Sequence, residues 1–237
     1  NGFYLPFKQD YTVEGFSTAT YKGTGVNPTY IGGTGYRPDL TWIKPRSTAD
    51  NHVLYDSVRG YNKQLKVNAT DAEDTNGRVA SATDGFTLTT TDGNQNSASH
   101  TYVAWNWDMG ADTPTGFGCV TYTGNAVDGR QISGVGFQPD LVWTKIRSNG
   151  YHHSLHDSVR LSSSDYNLSP NDTMEEGGSS FEANQRISSY STDGYTISGT
   201  GALNNLNASG ETHVAWNWDM GGSNATNTDG SITSTVR

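Results

Sequence analysis

The chain has 237 residues, a formal net charge of −9 and only 15 Lys and Arg residues, none of them clustered. That balance excludes the electrostatic footprint of a surface that binds nucleic acid or an anionic membrane, and no apolar run approaches the length of a membrane span. Gly at 28 positions, 11% aromatics and 32% hydrophobic residues suit short strands and frequent turns better than helices.

Residues 1–14 contain aromatics but have no counterpart later in the sequence, and read as a connector. From Gly15 the chain repeats itself. Phe16 and Tyr21 are answered by Phe117 and Tyr122, an offset of 101, in a run that reads as a strand. At the same offset, Gly35-Tyr-Arg-Pro-Asp-Leu-Thr-Trp42 is answered by Gly136-Phe-Gln-Pro-Asp-Leu-Val-Trp143, a Pro-Asp turn leading into a strand. Val53-Leu-Tyr-Asp-Ser-Val-Arg59 and Ser154-Leu-His-Asp-Ser-Val-Arg160 follow, each predicting a short strand whose exit is closed by a local Asp–Arg pair.

Beyond those arginines the copies diverge. Thr83-Asp-Gly85 matches Thr192-Asp-Gly194 at an offset of 109, so the second connection has gained eight residues. A further shift to 111 precedes the most similar segment, Thr101-Tyr-Val-Ala-Trp-Asn-Trp-Asp-Met-Gly110 against Thr212-His-Val-Ala-Trp-Asn-Trp-Asp-Met-Gly221. Length changes confined to two polar stretches are what loops between core strands tolerate. Alternation along a strand places Val103, Trp105 and Trp107, or Val214, Trp216 and Trp218, on one face. That face is expected to be the core of its own domain, packed on a second sheet, rather than a ligand platform.

These patterns predict an all-β protein of two tandem β-sandwich domains, jelly-roll or lectin-like, with short linkers. The expected domains are 15–110 and 111–221, with Gly110–Gly116 as the linker between the copies and 222–237 as a flexible linker or docking arm. The single Cys119 has no internal disulfide partner, which favours folding in a reducing compartment, and its setting suggests a small buried residue. The chain opens on Asn1 rather than Met, which suggests a piece of something longer.

The duplication samples each position twice, and what survives is mainly Trp, Leu, Val, Gly, Pro-Asp and the Asp–Arg pair. The shared ionisable residues, among them Asp39/Asp140, Asp84/Asp193 and Asp108/Asp219, sit largely at predicted turns. The polar cluster most suggestive of chemistry is Tyr151-His-His-Ser-Leu-His-Asp157, but the first copy retains only one of its histidines and the Asp. His152 and His156 on a strand lie about 13 Å apart, too far to share a metal ion, and adjacent Ser, His and Asp do not assemble a triad. No catalytic residue, metal site or cofactor is therefore expected, and Tyr151, His152 and His153 remain as loop candidates for binding. The acidic run Asn68–Gly77 fails the EF-hand pattern, since Ala72 and Thr83 fall at its first and last ligand positions.

The run Phe137-Gln-Pro-Asp-Leu-Val-Trp-Thr-Lys-Ile-Arg147, preceded by Tyr122-Thr-Gly-Asn125, followed by Asp157-Ser-Val-Arg160 and closed by Ala215-Trp-Asn-Trp218, resembles tandem β-rich repeats in large tail, fibre or other virion structural proteins of marine tailed bacteriophages. The resemblance spans residues 15–221. It implies a non-enzymatic structural or adhesion module on the virion surface, folded in the host cytoplasm. Its implied partners are other virion proteins, copies of itself and host-surface glycan, without nucleic acid or membrane insertion. The alternative is a carbohydrate-binding module of a secreted bacterial surface protein, and a glycan-degrading enzyme comes third.

Overall fold

The computed structural model describes residues 15–110, 116–160, 167–176, 186–198, 206–221, 225–227 and 234–236. The expected connector 1–14 and all but the two terminal glycines of the expected linker lie outside these. Every regular element among the described residues is a strand. The first repeat holds β1 (Phe16–Lys22), β2 (Thr29–Gly32), β3 (Leu40–Pro45), β4 (Val53–Asp56), β5 (Leu65–Lys66), β6 (Val79–Ala82), β7 (Gly85–Leu88) and β8 (Thr101–Trp107). The second holds β9 (Phe117–Thr123), β10 (Arg130–Ser133), β11 (Leu141–Ile146), β12 (Ser154–Asp157), β13 (Arg186–Ser191), β14 (Gly194–Ser198) and β15 (Thr212–Trp218).

Each repeat is a sandwich of a larger and a smaller antiparallel sheet. In the first, β1-β8-β3-β4-β5 covers β2-β7-β6; in the second, β9-β15-β11-β12 covers β10-β14-β13. The strand orders correspond, so the duplication read from the sequence is a duplication of fold. The difference falls where the copies diverge: among the described residues β5 has no counterpart strand, and an isolated bridge joins Leu155 to Leu168. Both hairpins of the smaller sheets turn on Asp-Gly. Gly85 (φ +129°) and Gly194 (φ +145°) sit where an added Cβ would lie 2.1 and 2.0 Å from the carbonyl oxygens of Ile31 and Ile132, so only glycine fits. The preceding carboxylates accept from backbone amides of the neighbouring loop: Asp84 from Gly33 and Gly35, Asp193 from Gly134 and Gly136.

The tryptophan strands correct the sequence expectation. Along β8 it is Tyr102, Ala104 and Asn106 that are buried, while Val103, Trp105 and Trp107 are half-buried. Tyr102 and Ala104 pack with Ile43, Val53 and Tyr55 against Ile31, Phe86 and Leu88 of the smaller sheet. Asn106 can occupy this interior because Thr41 Oγ1 donates to its Oδ1 at 3.1 Å. The second core repeats the arrangement, with Val142 and Ala215 against Ile132, Ile187, Tyr195 and Ile197. The indole faces point the other way and meet each other across the repeats. Leu40, Leu54, Leu65 and Val67 form one cluster with Phe117, Cys119, Trp143, Val214 and Trp216. The larger sheets are thus buried on both faces, and the molecule is a stack of four β layers.

Within the segment read as flexible linker or docking arm, β16 (Ala225–Asn227) pairs antiparallel with β17 (Ser234–Val236).

Candidate functional site

The junction between the repeats joins equivalent residues. Trp42 meets its counterpart Trp143, ring centroids 5.6 Å apart, and Trp107 meets its counterpart Trp218 at 6.0 Å. Contact between like residues is the mark of an isologous, two-fold-like interface, here within one chain.

Among the described residues the symmetry is broken by polar contacts that form on one side only. Trp216 Nε1 donates to Asp56 Oδ2 at 3.0 Å. Arg59, fully buried, bonds the same carboxylate through Nε at 2.5 Å and Glu73 through Nη1 at 3.0 Å. Arg147 of the second repeat grips Glu73 in a bidentate pair at 2.8 and 2.9 Å. The two arginines are matched by two carboxylates, with the partly exposed Lys63 3.8 Å from Glu73, and such pairing is the condition for burying charge without a large penalty. Burial alone would raise the Glu73 carboxyl, but bonds from Arg147 and Arg59 hold it below its usual range. Glu73 lies in the acidic run considered for calcium. Its neighbours there are also engaged, Asp71 with Lys66 and Asp74 with Arg78.

The equivalent groups of the other half are not so engaged. Asp157 and Arg160 form the same local pair at 2.5 Å but stay about a quarter exposed, and Arg160 turns to Glu176. Trp105, the counterpart of Trp216, makes no hydrogen bond through Nε1 among the described residues.

On this open side the two indole faces splay into a cleft of about 550 Å³. Its walls include Phe16, Trp42 and Trp107 from one repeat and Leu155, Trp143 and Trp218 from the other, with Met220, 58% exposed, on its lining. His52 is the one titratable residue among the described residues that line it. Trp42 Nε1 donates to His52 Nδ1 at 3.0 Å, the rings stack, and burial followed by the Lys44 charge lowers the imidazole's pKa.

The loop candidates are placed as follows. Tyr151 and His152 are half-buried, and His152 Nδ1 accepts from Asn171 Nδ2 at 3.0 Å. His153 is fully buried, not on a loop surface: Trp143 Nε1 donates to its Nδ1 at 2.9 Å and its Nε2–H donates to the carbonyl of Lys66 at 3.0 Å. Burial first, then Lys145, pushes its pKa down to about 3. His156 is buried beneath β12 on the face opposite Leu155 and Asp157, so the three histidines do not converge. Among the described residues no group of three His, Cys, Asp or Glu side chains could hold a metal ion. Cys119 is buried at the junction, as its sequence setting suggested, and burial raises its pKa.

Sequence reasoning missed the cleft and Glu73. The available signal for Glu73 was that each copy carries a Glu downstream of its Asp–Arg pair, Glu73 and Glu176, and that both in fact bind that arginine.

A family model described as a domain of unknown function (DUF7483) matches the chain twice, over residues 12–116 and 113–237. The chain belongs to this family and consists of two tandem copies of its domain. No curated protein and no solved structure matches it.

Proposed function

We propose that this tandem pair of family domains is a non-enzymatic structural and adhesion module of a larger surface protein, placed in a tail or fibre of a tailed bacteriophage. The observation that carries the reading is the buried junction of Asp56, Arg59, Glu73, Arg147 and Trp216, which makes one body of two repeats. A chain built to bear load or hold a register needs repeats that do not swivel, and a large, charge-balanced, aromatic contact provides that. The polar residues common to both copies support it too. Asp39 and Asp140 each bind a serine hydroxyl and a backbone amide near the strand exits, and Asp84 and Asp193 hold loops. The resemblance of the repeats to virion structural proteins favours the proposed placement, and host-surface glycan is the proposed partner at exposed loops.

Two measurements test this. Antibody raised against the chain should decorate tailed particles grown on the host, and decoration of bacterial surfaces alone would favour a secreted carbohydrate-binding protein. Purified protein offered bacterial surface polysaccharides should release no reducing ends over hours. Sustained release abolished by Asp157→Asn would make it a glycan-degrading enzyme.

A further inference from the structure

We propose that the cleft between the repeats is a binding site for a small, uncharged, largely apolar molecule that carries one hydrogen-bond acceptor oxygen, held at Nε2 of His52. The inference goes beyond the structural role and does not depend on where the module sits.

The broken symmetry of the junction carries the argument. His52 and His153 are equivalent, and each accepts at Nδ1 from the indole of a tryptophan, Trp42 or Trp143. An indole nitrogen only donates, so in both imidazoles the proton must reside on Nε2. In His153 that proton is given to the carbonyl of Lys66 across the junction. In His52 the same proton has no acceptor among the described residues, and His52 lines the cleft. Among the described residues the site therefore offers an imidazole donor of fixed tautomer beside the rings of Trp42, Trp107, Trp143 and Trp218.

The volume and the lining set the ligand class. About 550 Å³ lies within the range of small-molecule sites, which are apolar with a few polar groups that fix orientation. No lysine or arginine among the described residues lines the cleft, so a carboxylate, phosphate or sulfate would be held there without a counter-charge. A free sugar would leave most of its hydroxyls without partners there. An aryl ketone, ester or amide, or a short acyl derivative, satisfies both the walls and the donor.

The test uses the whole chain and two probes of equal shape, 2-acetylnaphthalene and 2-ethylnaphthalene, titrated against tryptophan emission. Both should saturate at one site per chain, with the ketone bound about two- to tenfold tighter, the effect of one hydrogen bond. His52→Phe keeps a ring against Trp42 but removes the Nε2 donor, and should bring the ketone's affinity down towards that of the hydrocarbon. Met220→Trp, a change at a partly exposed position, should weaken both probes without altering the melting temperature. No saturation, or equal affinities in the wild-type chain, would overturn the proposal. So would affinity that falls as protein concentration rises, which would mean that a second copy fills the cleft. Binding seen only after removal of residues 1–14 would likewise overturn it, by showing that the chain occupies its own site.

Discussion

Trp105 and Trp216 occupy the same position of the same motif, yet the structure gives them different work, and an identical substitution should separate them. In Trp216→Phe the buried carboxylate of Asp56 loses an indole donor at 3.0 Å. A hydrogen bond to a charged group contributes about 1.5–3 kcal/mol, and a residual cavity of roughly 40 Å³ at about 24 cal/mol per Å³ adds about 1 kcal/mol. The sum, about 2.5–4 kcal/mol, corresponds to a fall in melting temperature of roughly 5–16 °C for a chain of this size. Trp105→Phe removes a half-buried indole with no hydrogen bond among the described residues, and should cost under about 1 kcal/mol and roughly 4 °C. Thermal unfolding followed by circular dichroism at 218 nm (about the β-sheet band) compares the two directly. Equal shifts would refute the assignment of the closed side of the junction to the second repeat's indole.

Two further outcomes follow from the buried ionisable groups. Burial holds His153 and His156 down to about 3 and His213 to about 4. Unfolded histidines titrate near 6.5, so between about pH 4 and 6.5 the unfolded chain binds protons that the native chain does not, and stability falls as pH falls. Near pH 5 three such groups give a slope of about 4 kcal/mol per pH unit, and His153→Gln should reduce it by about a third, read from urea midpoints across pH. For the ionic junction, Glu73→Gln and Arg147→Met should show a coupling of about 1–3 kcal/mol in a double-mutant cycle. Glu73 is held below its usual range, so its share of that coupling is present above about pH 4.3 and lost as pH falls through its lower native value. Additive effects at pH 7 would show that the pair does not bridge the repeats.

The duplicated sandwich was legible because the turns are written in residues with narrow requirements. Gly85 and Gly194 answer to a positive φ that other residues resist, and Pro38-Asp39 and Pro139-Asp140 mark the entry to equivalent strands. The faces of β8 and β15 were not legible in the same way. Alternation separates Trp105 and Trp107 from Ala104 and Asn106, but both faces of the larger sheets are buried, and a strand pattern does not say which partner covers which face. The bulkier face went to the junction, where Leu40, Leu54 and Leu65 receive it, and the smaller residues went under the three-stranded sheet. Glu73 and His153 were hidden because their partners, Arg147 and the Lys66 carbonyl, lie 74 and 87 residues away and are brought near only by the packing of one repeat on the other.

Differential scanning calorimetry of the intact chain at pH 7 tests most directly whether the repeats form one body through their tryptophan faces. A single transition is predicted, with calorimetric and van't Hoff enthalpies in agreement. Two resolved transitions, each carrying about half of the enthalpy and unaffected by Glu73→Gln, would contradict the account, because repeats joined through that junction cannot melt independently of it.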